Sequence, residues 1–368
     1  MAKGSQRILV APLDWGLGHA TRCIPIIEAL QENGAEPLIA GAGNGLKILQ
    51  GQFPDIPTLE LPSYQIRYAK GRHLVPALMK QVPSILRTIK EEKALVDEWI
   101  TKYNITGIIS DNRYGVRSTR VPSVVICHQL AAKAPKRLAW GDPIVRRAHM
   151  YTLRHFDEVW VPDSQKVALS ESMAHGNWVP SKVSYLGLLS RFFGKEMPAD
   201  FETPELKGKT PNIVAVISGP EPQRSQLVEK IKQQALSAGV DIWMVLGQPK
   251  LKHVKQEGGV LLIPHLKTPD MHRLLGTAEI VISRSGYTSL MDYLAIGTKK
   301  NILVATPGQT EQEFLAERLH ERKIALNILQ KNFELTEALE EVEEFAGMSA
   351  IDEKLDLSQR LGNWLRQI

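Results

Sequence analysis

The stretch 283–292 combines small, hydroxyl-bearing and acidic residues where a short apolar run passes into a helical pattern. Ser285, Gly286 and Thr288 suit a phosphate, because a helix N-terminus offers free N–H groups and the positive end of the helix dipole. Asp292 lies about one turn further on, where its carboxylate could accept hydrogen bonds from ribose hydroxyls. These residue types in this order predict a nucleotide site.

A second polar helix start, 307–313, follows the next apolar run. Two polar loops on either side of one strand–helix unit can enclose one nucleotide sugar. The alternative is a pair of ordinary capped helices, with Ser285 and Thr310 as the N-cap residues.

A glycine-containing loop, 12–19, joins the first apolar run of the chain to its first helical segment. Gly16 and Gly18 would let the backbone approach a ligand closely, and His19 stands where it could act on a sugar or a phosphate. The dinucleotide fingerprint G-x-G-x-x-G needs a third glycine, but the chain has Thr21 there, which disfavours an NAD site. The alternative is a structural turn with a surface histidine.

Asp111 directly follows the apolar run 107–110. In parallel sheets, ligand-binding groups gather at the carboxyl ends of strands. A carboxylate near His19 could fix the tautomer of the imidazole and raise its basicity. Asp111 as a turn or cap residue is the alternative.

Short apolar runs alternate with segments of helical periodicity in two series along the chain, which predicts α/β architecture with parallel sheets covered on both faces. We expect two facing doubly wound (Rossmann-like) domains. The boundaries expected from the pattern are 1–187, 188–350 and a closing helix, 351–368, that packs back on the first domain.

Three segments carry more specific expectations. Proline within a helical pattern predicts a break or bend near Pro83 of the helix 74–102. Prolines among charged and turn-forming residues predict a loose linker over 187–208, and the acidic run 334–345 predicts an exposed helix.

The stretch 284–292, with 307–313 behind it, resembles the donor-binding region of the GT-B glycosyltransferases. The resemblance is closest to the MurG-like group, which transfers N-acetylglucosamine from a uridine diphosphate donor. The loop containing Gly16 and Gly18 is similar to the N-terminal glycine loop of that group. The resemblance implies GT-B architecture, with the first domain on the acceptor side and the second binding a nucleotide-sugar donor.

The resemblance also implies roles for individual residues of the second half. The donor-binding set that it implies is Ser218, Gly219, His265, Arg284, Ser285, Gly286, Tyr287, Thr288, Asp292, Gln309, Gln312 and Glu313. Within this set the diphosphate would face residues 285–288, the ribose would meet Asp292, and the transferred sugar would meet Gln312 and Glu313.

Three further contacts follow from the resemblance. Ser218 and Gly219 would form the first phosphate loop of the second domain, and the strand end 263–266 would present backbone groups to the base. His19 would be a general base or a phosphate contact. Asp111 is similar in position to the aspartate that supports the base histidine in plant-type transferases.

The chain lacks an Asp-x-Asp triplet, which metal-dependent transferases use to hold Mg²⁺ or Mn²⁺ on the diphosphate. We therefore expect neither a divalent metal nor a cofactor, with a UDP-sugar as the donor substrate. Arg284, helix dipoles and backbone amides would neutralise the leaving group instead. Arg284 as a purely structural contact is the alternative.

Charge is uneven along the chain, with 23 Lys and Arg against 16 Asp and Glu in residues 1–187, but 22 against 24 in 188–368. A basic region at 64–72, 133–137 and Arg146–Arg147 could contact a membrane surface near a lipid-linked acceptor, or could be a solvated face. Nucleic acid is disfavoured because no basic helix or stacking platform is present.

Composition favours a cytoplasmic protein, since the N-terminus lacks a signal-peptide pattern and no long apolar run is present. Peripheral contact with the inner membrane face is compatible with this location. Cys23 and Cys127 have no partners at metal spacing, so we expect two buried thiols.

The predicted activity is transfer of a hexose or N-acetylhexosamine from a UDP-sugar-type donor to an acceptor that the sequence leaves unidentified. The alternatives are a sugar-nucleotide hydrolase or epimerase on the same scaffold, and a non-catalytic nucleotide-sugar binding subunit.

Overall fold

A computed structural model describes residues 5–64, 74–131, 142–164, 167–175, 182–248, 251, 253–351 and 357–368. The chain divides into two compact units. Unit 1 comprises Met1–Ser190 and Leu355–Ile368, and unit 2 comprises Arg191–Lys354. Each unit holds one seven-stranded sheet, which confirms the predicted pair of doubly wound α/β domains.

The strands are β1 (Arg7–Pro12), β2 (Glu36–Gly41), β3 (Thr58–Glu60), β4 (Ile105–Asp111), β5 (Ser123–Ile126), β6 (Glu158–Val161), β7 (Val183–Tyr185), β8 (Ile213–Val216), β9 (Ile242–Val245), β10 (Lys255–Glu257), β11 (Val260–Ile263), β12 (Ile280–Ser283), β13 (Lys300–Leu303) and β14 (Leu326–Asn327). The helices are α1 (Gly18–Glu32), α2 (Gly43–Gln52), α3 (Leu74–Tyr103), α4 (Asp142–Leu153), α5 (Gln223–Ala238), α6 (Thr268–Thr277), α7 (Tyr287–Ile296), α8 (Thr310–Glu321), α9 (Leu335–Glu341) and α10 (Leu357–Gln367).

The sheet of unit 1 is parallel, in the order β3-β2-β1-β4-β5-β6-β7. Its central strands β1 and β4 are buried on both faces, which explains why they read as continuous apolar runs. Their pairing aligns Pro12 with Asp111, so the two strands end side by side. The loop after β1 therefore starts next to the carboxyl end of β4.

The helix α10 belongs to unit 1 although unit 2 precedes it in the chain. Trp364 packs edge-on against Trp160, with ring centroids 5.4 Å apart. A Cβ on Gly107 would come within 2.8 Å of the Trp364 ring, so glycine at this strand position admits the helix. Gln6 donates hydrogen bonds to the carbonyls of Leu365 and Ile368.

The sheet of unit 2 has the order β10-β11-β9-β8-β12-β13-β14 and is parallel except for the edge strand β10. Its core lies between the sheet and the helices α5 and α9. The strand β12 sits between β8 and β13, so the loops that follow these three strands emerge at one edge of the sheet.

The structure corrects three local expectations. The helix α3 continues through Pro83 without the break that was one of the two expected outcomes. The segment 187–208 is packed rather than loose, since it buries Leu188, Phe192 and Phe201. The acidic run 334–345 buries one apolar face in the core of unit 2.

Most of the predicted basic region lies outside the described residues, namely 65–72 and 133–137. Arg146 and Arg147 are exposed on α4, whereas Tyr64 is buried and donates a hydrogen bond to Glu92, so it lies in the core rather than on a basic face. Within the described ranges, no helix is long and apolar enough to cross a membrane.

Candidate functional site

Hydrogen bonds and an ion pair with side chains of unit 1 fix the loop between β1 and α1. Gly16 has a φ of 84°, a left-handed conformation that favours glycine. Asp14 accepts a hydrogen bond from Ser63 at 2.5 Å and lies 3.3 Å from the buried guanidinium of Arg113. Because Arg113 also donates to the carbonyl of Pro12, it fixes the point at which the loop leaves the sheet.

His19 lies in the first turn of α1, and the structure brings it together with Asp111. Its Nδ1 is 3.1 Å from Oδ1 of Asp111, and 16% of its side chain is exposed while Asp111 is fully buried. The two residues predicted to be catalytic therefore contact each other at the carboxyl edge of the unit 1 sheet.

Two further residues, to which the sequence assigns no role, complete this cluster. Arg22, one turn after His19 on α1, donates from Nε to Oδ2 of Asp111 at 2.6 Å and from Nη2 to Oδ1. The same guanidinium reaches Nδ1 of His19 at 2.8 Å and Nδ1 of His128 at 3.2 Å. The spacing of His19 and Arg22, three residues apart on one helix, was the available signal.

The surroundings shift the pKa values of His19 and Asp111 for different reasons. Burial, followed by the charge of Arg22, lowers the pKa of His19 below its ordinary value of 6.5. Burial alone would raise the pKa of Asp111, but Arg22 and His19 outweigh it and hold that pKa well below its usual range. At neutral pH Asp111 is therefore a carboxylate, Arg22 is a cation and the imidazole of His19 is neutral.

In unit 2 the helix α7 begins at a partly exposed glycine. Gly286 is its N-cap residue, with φ −70° and ψ 139°, and no side chain of the described residues caps the helix there. A Cβ on Gly286 would meet only the hydroxyl of Ser289, at 3.8 Å, so the space above the helix start is open. Backbone N–H groups at such a start are suited to an anion.

Ser285 is not an N-cap and has a different use. Its hydroxyl donates to the carbonyl of Gln312 at 2.8 Å and so ties the loop before α7 to the start of α8. The N-cap of α8 is Gln309 rather than Thr310, again without a side-chain bond. The hydroxyl of Ser285 therefore links the two loops, and its contact with a diphosphate remains a prediction.

The polar side chains of the second loop are also bonded within it. Gln312 accepts from the backbone N–H of Thr306 at 2.8 Å and donates to Gln309 at 2.5 Å. Glu313 accepts from the N–H of Gly308 at 3.0 Å. These residues are partly exposed, so the loop is ordered in itself while its outer atoms remain accessible.

Asp292 is paired within unit 2 with Arg191, which no sequence pattern singles out. Its Oδ2 lies 3.5 Å from Nε of Arg191, and both side chains are more than nine-tenths buried. Burial, then the charge of Arg191, lowers the pKa of His265 to about 4. The structure therefore brings Asp292, His265 and Arg191 into one electrostatic neighbourhood at the edge where β11 and β12 end.

Arg284 is placed differently from the predicted diphosphate contact. It is buried, and it donates to the carbonyls of Val304, Ala305 and Gln223 and to the side chain of Gln330. A guanidinium engaged in this way holds the backbone of neighbouring strand ends together. The structure therefore favours the structural alternative for Arg284.

The remaining predicted residues lie along the same edge of unit 2. Tyr287 and Thr288 are mostly buried in the first turn of α7. Ser218 and Gly219 follow β8, and Gly219 has a φ of 117° that favours glycine. A Cβ on Gly219 would stand 3.6 Å from the hydroxyl of the buried Thr306.

Comparison with known proteins agrees with this architecture. Residues 213–354 match the glycosyltransferase family 28 C-terminal domain. A curated relative, the uncharacterized glycosyltransferase MK0977 of Methanopyrus kandleri, is 20% identical over 310 residues, which is 81% of this chain and 85% of the relative.

Two solved structures show the same fold over nearly the whole chain. The spinosyn rhamnosyltransferase SpnG complexed with thymidine diphosphate has a TM-score of 0.58 at 15% identity, covering 98% of this chain and 96% of that one. MurG of Acinetobacter baumannii has a TM-score of 0.53 at 13% identity, covering 99% and 100%. The predicted resemblance is confirmed at the level of the fold: the chain has the GT-B fold that it shares with MurG, and residues 213–354 are similar to the C-terminal domain of glycosyltransferase family 28.

Proposed function

We propose that the chain is a metal-independent glycosyltransferase that moves a hexose or N-acetylhexosamine from a UDP-sugar-type donor to an acceptor hydroxyl. The observation that carries the proposal is the start of α7, where Gly286 leaves open space before a helix N-terminus. A diphosphate suits that position because it is the leaving group of the reaction and carries the charge that a helix start stabilises. The bound thymidine diphosphate of SpnG supports a nucleoside diphosphate as the ligand.

The rest of unit 2 supplies the donor contacts. Asp292 lies on α7, two turns or fewer from Gly286, where a carboxylate can accept from ribose hydroxyls. Gln312 and Glu313 would meet the transferred sugar through the atoms that their loop bonds leave available. In unit 1, His19 would contact the reacting oxygen or a phosphate, with Asp111 and Arg22 holding its ring.

A thermal-shift series with nucleotides and nucleotide sugars tests the proposal. A ligand that binds only the folded chain raises the midpoint by mass action, and we expect UDP and UDP-sugars to raise it more than ADP or GDP. The same series with EDTA tests metal independence, for which we expect an unchanged shift. Equal shifts for all nucleotides would contradict a UDP-type donor.

The variant Gly286→Val tests the position of the diphosphate. The φ of −70° at this position suits any residue and a Cβ would meet only the Ser289 hydroxyl, at 3.8 Å, so we expect the fold to persist while the anion position is blocked. We expect the UDP-induced shift to be lost with an unchanged midpoint of the free protein. Gly51→Ala, where a Cβ meets nothing within 4 Å in unit 1, is the matched control and should retain the shift.

Turnover assays separate the remaining activities. We expect transfer to an acceptor to exceed release of free sugar. Sugar release without acceptor at the full rate would favour a hydrolase, and tight binding without product would favour a binding subunit.

A further inference from the structure

Three neighbouring strands of unit 2 each lead into a helix at the same edge of the sheet. The strands β8, β12 and β13 lie side by side in that order, and the helices α5, α7 and α8 follow them in the chain. The start of each helix has N–H groups and the positive end of a dipole, both of which attract an anion. The three starts differ in what already occupies them.

An acidic side chain of the protein itself occupies the start of α5. Glu221 stands just before the N-cap residue Pro222, and its carboxylate accepts hydrogen bonds from the N–H of Ser225 at 3.3 Å and from the Ser225 hydroxyl at 3.0 Å. The N–H of Arg224 donates to the carbonyl of Pro220 at 3.1 Å. Two N–H groups of the first turn are therefore already engaged.

Glu221 also engages the cation of this turn. Arg224 donates to Glu221 from Nε at 3.0 Å and from Nη2, and its Nη1 donates to the carbonyl of Leu246 at 3.0 Å. Glu221 therefore neutralises the guanidinium, and the carbonyl after β9 fixes its position. Because 51% of the Glu221 side chain is exposed, its carboxylate lies at the surface of this edge.

The loop before α8 also holds an acidic side chain, whereas the start of α7 does not. Glu313 accepts from the N–H of Gly308 at 3.0 Å, and no side chain of the described residues caps α7. Arg284 connects the starts of α5 and α7, since it directly precedes the loop before α7 and donates from Nη2 to the carbonyl of Gln223 at 2.9 Å. A diphosphate at α7 would therefore lie near the carboxylate of Glu221.

We infer that Glu221 limits the negative charge that unit 2 accepts beside the diphosphate, because it withholds both Arg224 and the start of α5 from an anion. The identity of the ligand rests on the proposed transferase function. The terminal phosphate of a nucleotide sugar carries one negative charge, whereas that of a free nucleoside diphosphate gains a second charge above about pH 6. Glu221 thus disfavours the released product more than the donor and assists product release.

The variant Glu221→Gln tests the inference. The glutamine oxygen can still accept from Ser225, so we expect the fold to persist while Arg224 loses its counter-charge. One charge at roughly 10 Å in water changes the affinity for each ligand charge about twofold, so at pH 7.5 we expect UDP to bind about fourfold more tightly and UDP-glucose about twofold. Isothermal titration calorimetry measures both Kd values.

The ratio of the two Kd values separates a charge effect from a purely structural one. The gain for UDP over UDP-glucose should shrink at pH 5.5, where the terminal phosphate of UDP binds a proton. A ratio that Glu221→Gln leaves unchanged, or shifts in favour of UDP-glucose, would overturn the inference. Glu229→Gln is the matched control, because Glu229 pairs with Lys232 at 3.2 Å further along α5, and it should leave both Kd values unchanged.

Inorganic pyrophosphate distinguishes failure of this inference from failure of the proposed function. If neither UDP nor UDP-glucose binds, the proposed function fails, and the thermal shift that pyrophosphate produces then decides the role of Glu221. A larger shift for Glu221→Gln than for the unsubstituted protein would support that role, and an equal shift would overturn it.

Discussion

The two candidate sites use opposite means to present polar groups. In unit 1 a buried carboxylate and guanidinium enclose one partly exposed imidazole, so charge is concentrated behind a single side chain. In unit 2 the side chains of Ser285 and Gln312 are engaged in bonds between and within loops, and the backbone at Gly286 faces open space. The first arrangement orients a side chain, and the second orients main-chain donors.

The largest difference between the two sites should be seen when a carboxylate loses its charge. Asp111→Asn leaves the buried Arg22 without a counter-charge, and we expect a loss of about 3–5 kcal/mol in the free energy of unfolding. Asp292→Asn should cost less, because Nε of Arg191 lies 3.5 Å from Oδ2 of Asp292, a longer distance than the 2.6 Å from Nε of Arg22 to Oδ2 of Asp111. Chemical denaturation of both variants checks the order.

The control for this pair is Glu36→Gln, which breaks an exposed ion pair with Arg7 in unit 1. Solvent screens this pair, so we expect the denaturation midpoint to stay close to that of the unsubstituted protein. If Asp111→Asn and Asp292→Asn lose the same free energy of unfolding, the buried carboxylate of unit 1 is no more important for stability than that of unit 2.

A smaller effect should appear in the pH dependence of stability. His265 has a pKa of about 4 in the folded chain against 6.5 when unperturbed, so below pH 6.5 the unfolded state binds the proton first and stability falls as pH drops. From about pH 7 to about pH 5 this costs at most about 2 kcal/mol. We expect His265→Gln to lose that part of the acid sensitivity.

Denaturation at the two pH values measures the slope. His155→Gln, at an exposed position of unit 1, is the control and should retain the slope of the unsubstituted protein. If the pH slope of His265→Gln also equals that of the unsubstituted protein, then His265 is not kept neutral by its surroundings in unit 2.

The smallest expected change tests the link between the two loops of unit 2. Ser285→Ala removes the hydrogen bond to the carbonyl of Gln312, and we expect a loss of about 1 kcal/mol in the free energy of unfolding. Ser237→Ala, exposed on α5, is the control and should change stability by less than about 0.5 kcal/mol. If the two variants behave alike, the loops are held together by other contacts.

Sequence patterns were sufficient for the fold and for part of the sites. Buried parallel strands such as β1 and β12 read as continuous apolar runs, so the two sheets and the loops after them could be predicted. Because each of them follows a strand, His19 and Asp111 could be expected at the same edge of the sheet, and the structure adds that β1 and β4 pair directly and end together. Periodicity carries this information because it depends only on neighbours along the chain.

The partners of the site residues could not be predicted in the same way. Arg191 and Asp292 form an ion pair although about a hundred residues separate them in the sequence. Arg284 donates its hydrogen bonds to backbone carbonyls of other segments, far from it in the sequence. Nothing in the local pattern distinguishes an arginine that binds a ligand from one that holds the backbone. The bond that the Ser285 hydroxyl makes could not be predicted for the same reason, since its acceptor lies on another helix.

The return of α10 to unit 1 has a consequence for biosynthesis. Trp364 packs on a surface that includes Gly107 and Trp160, and these residues are translated before unit 2. The helix that covers this surface, α10, is translated after all of unit 2. A nascent chain must therefore carry this apolar patch uncovered while the intervening unit emerges from the ribosome. A premature stop anywhere in unit 2 would expose the patch permanently and mark the fragment for chaperones or proteases.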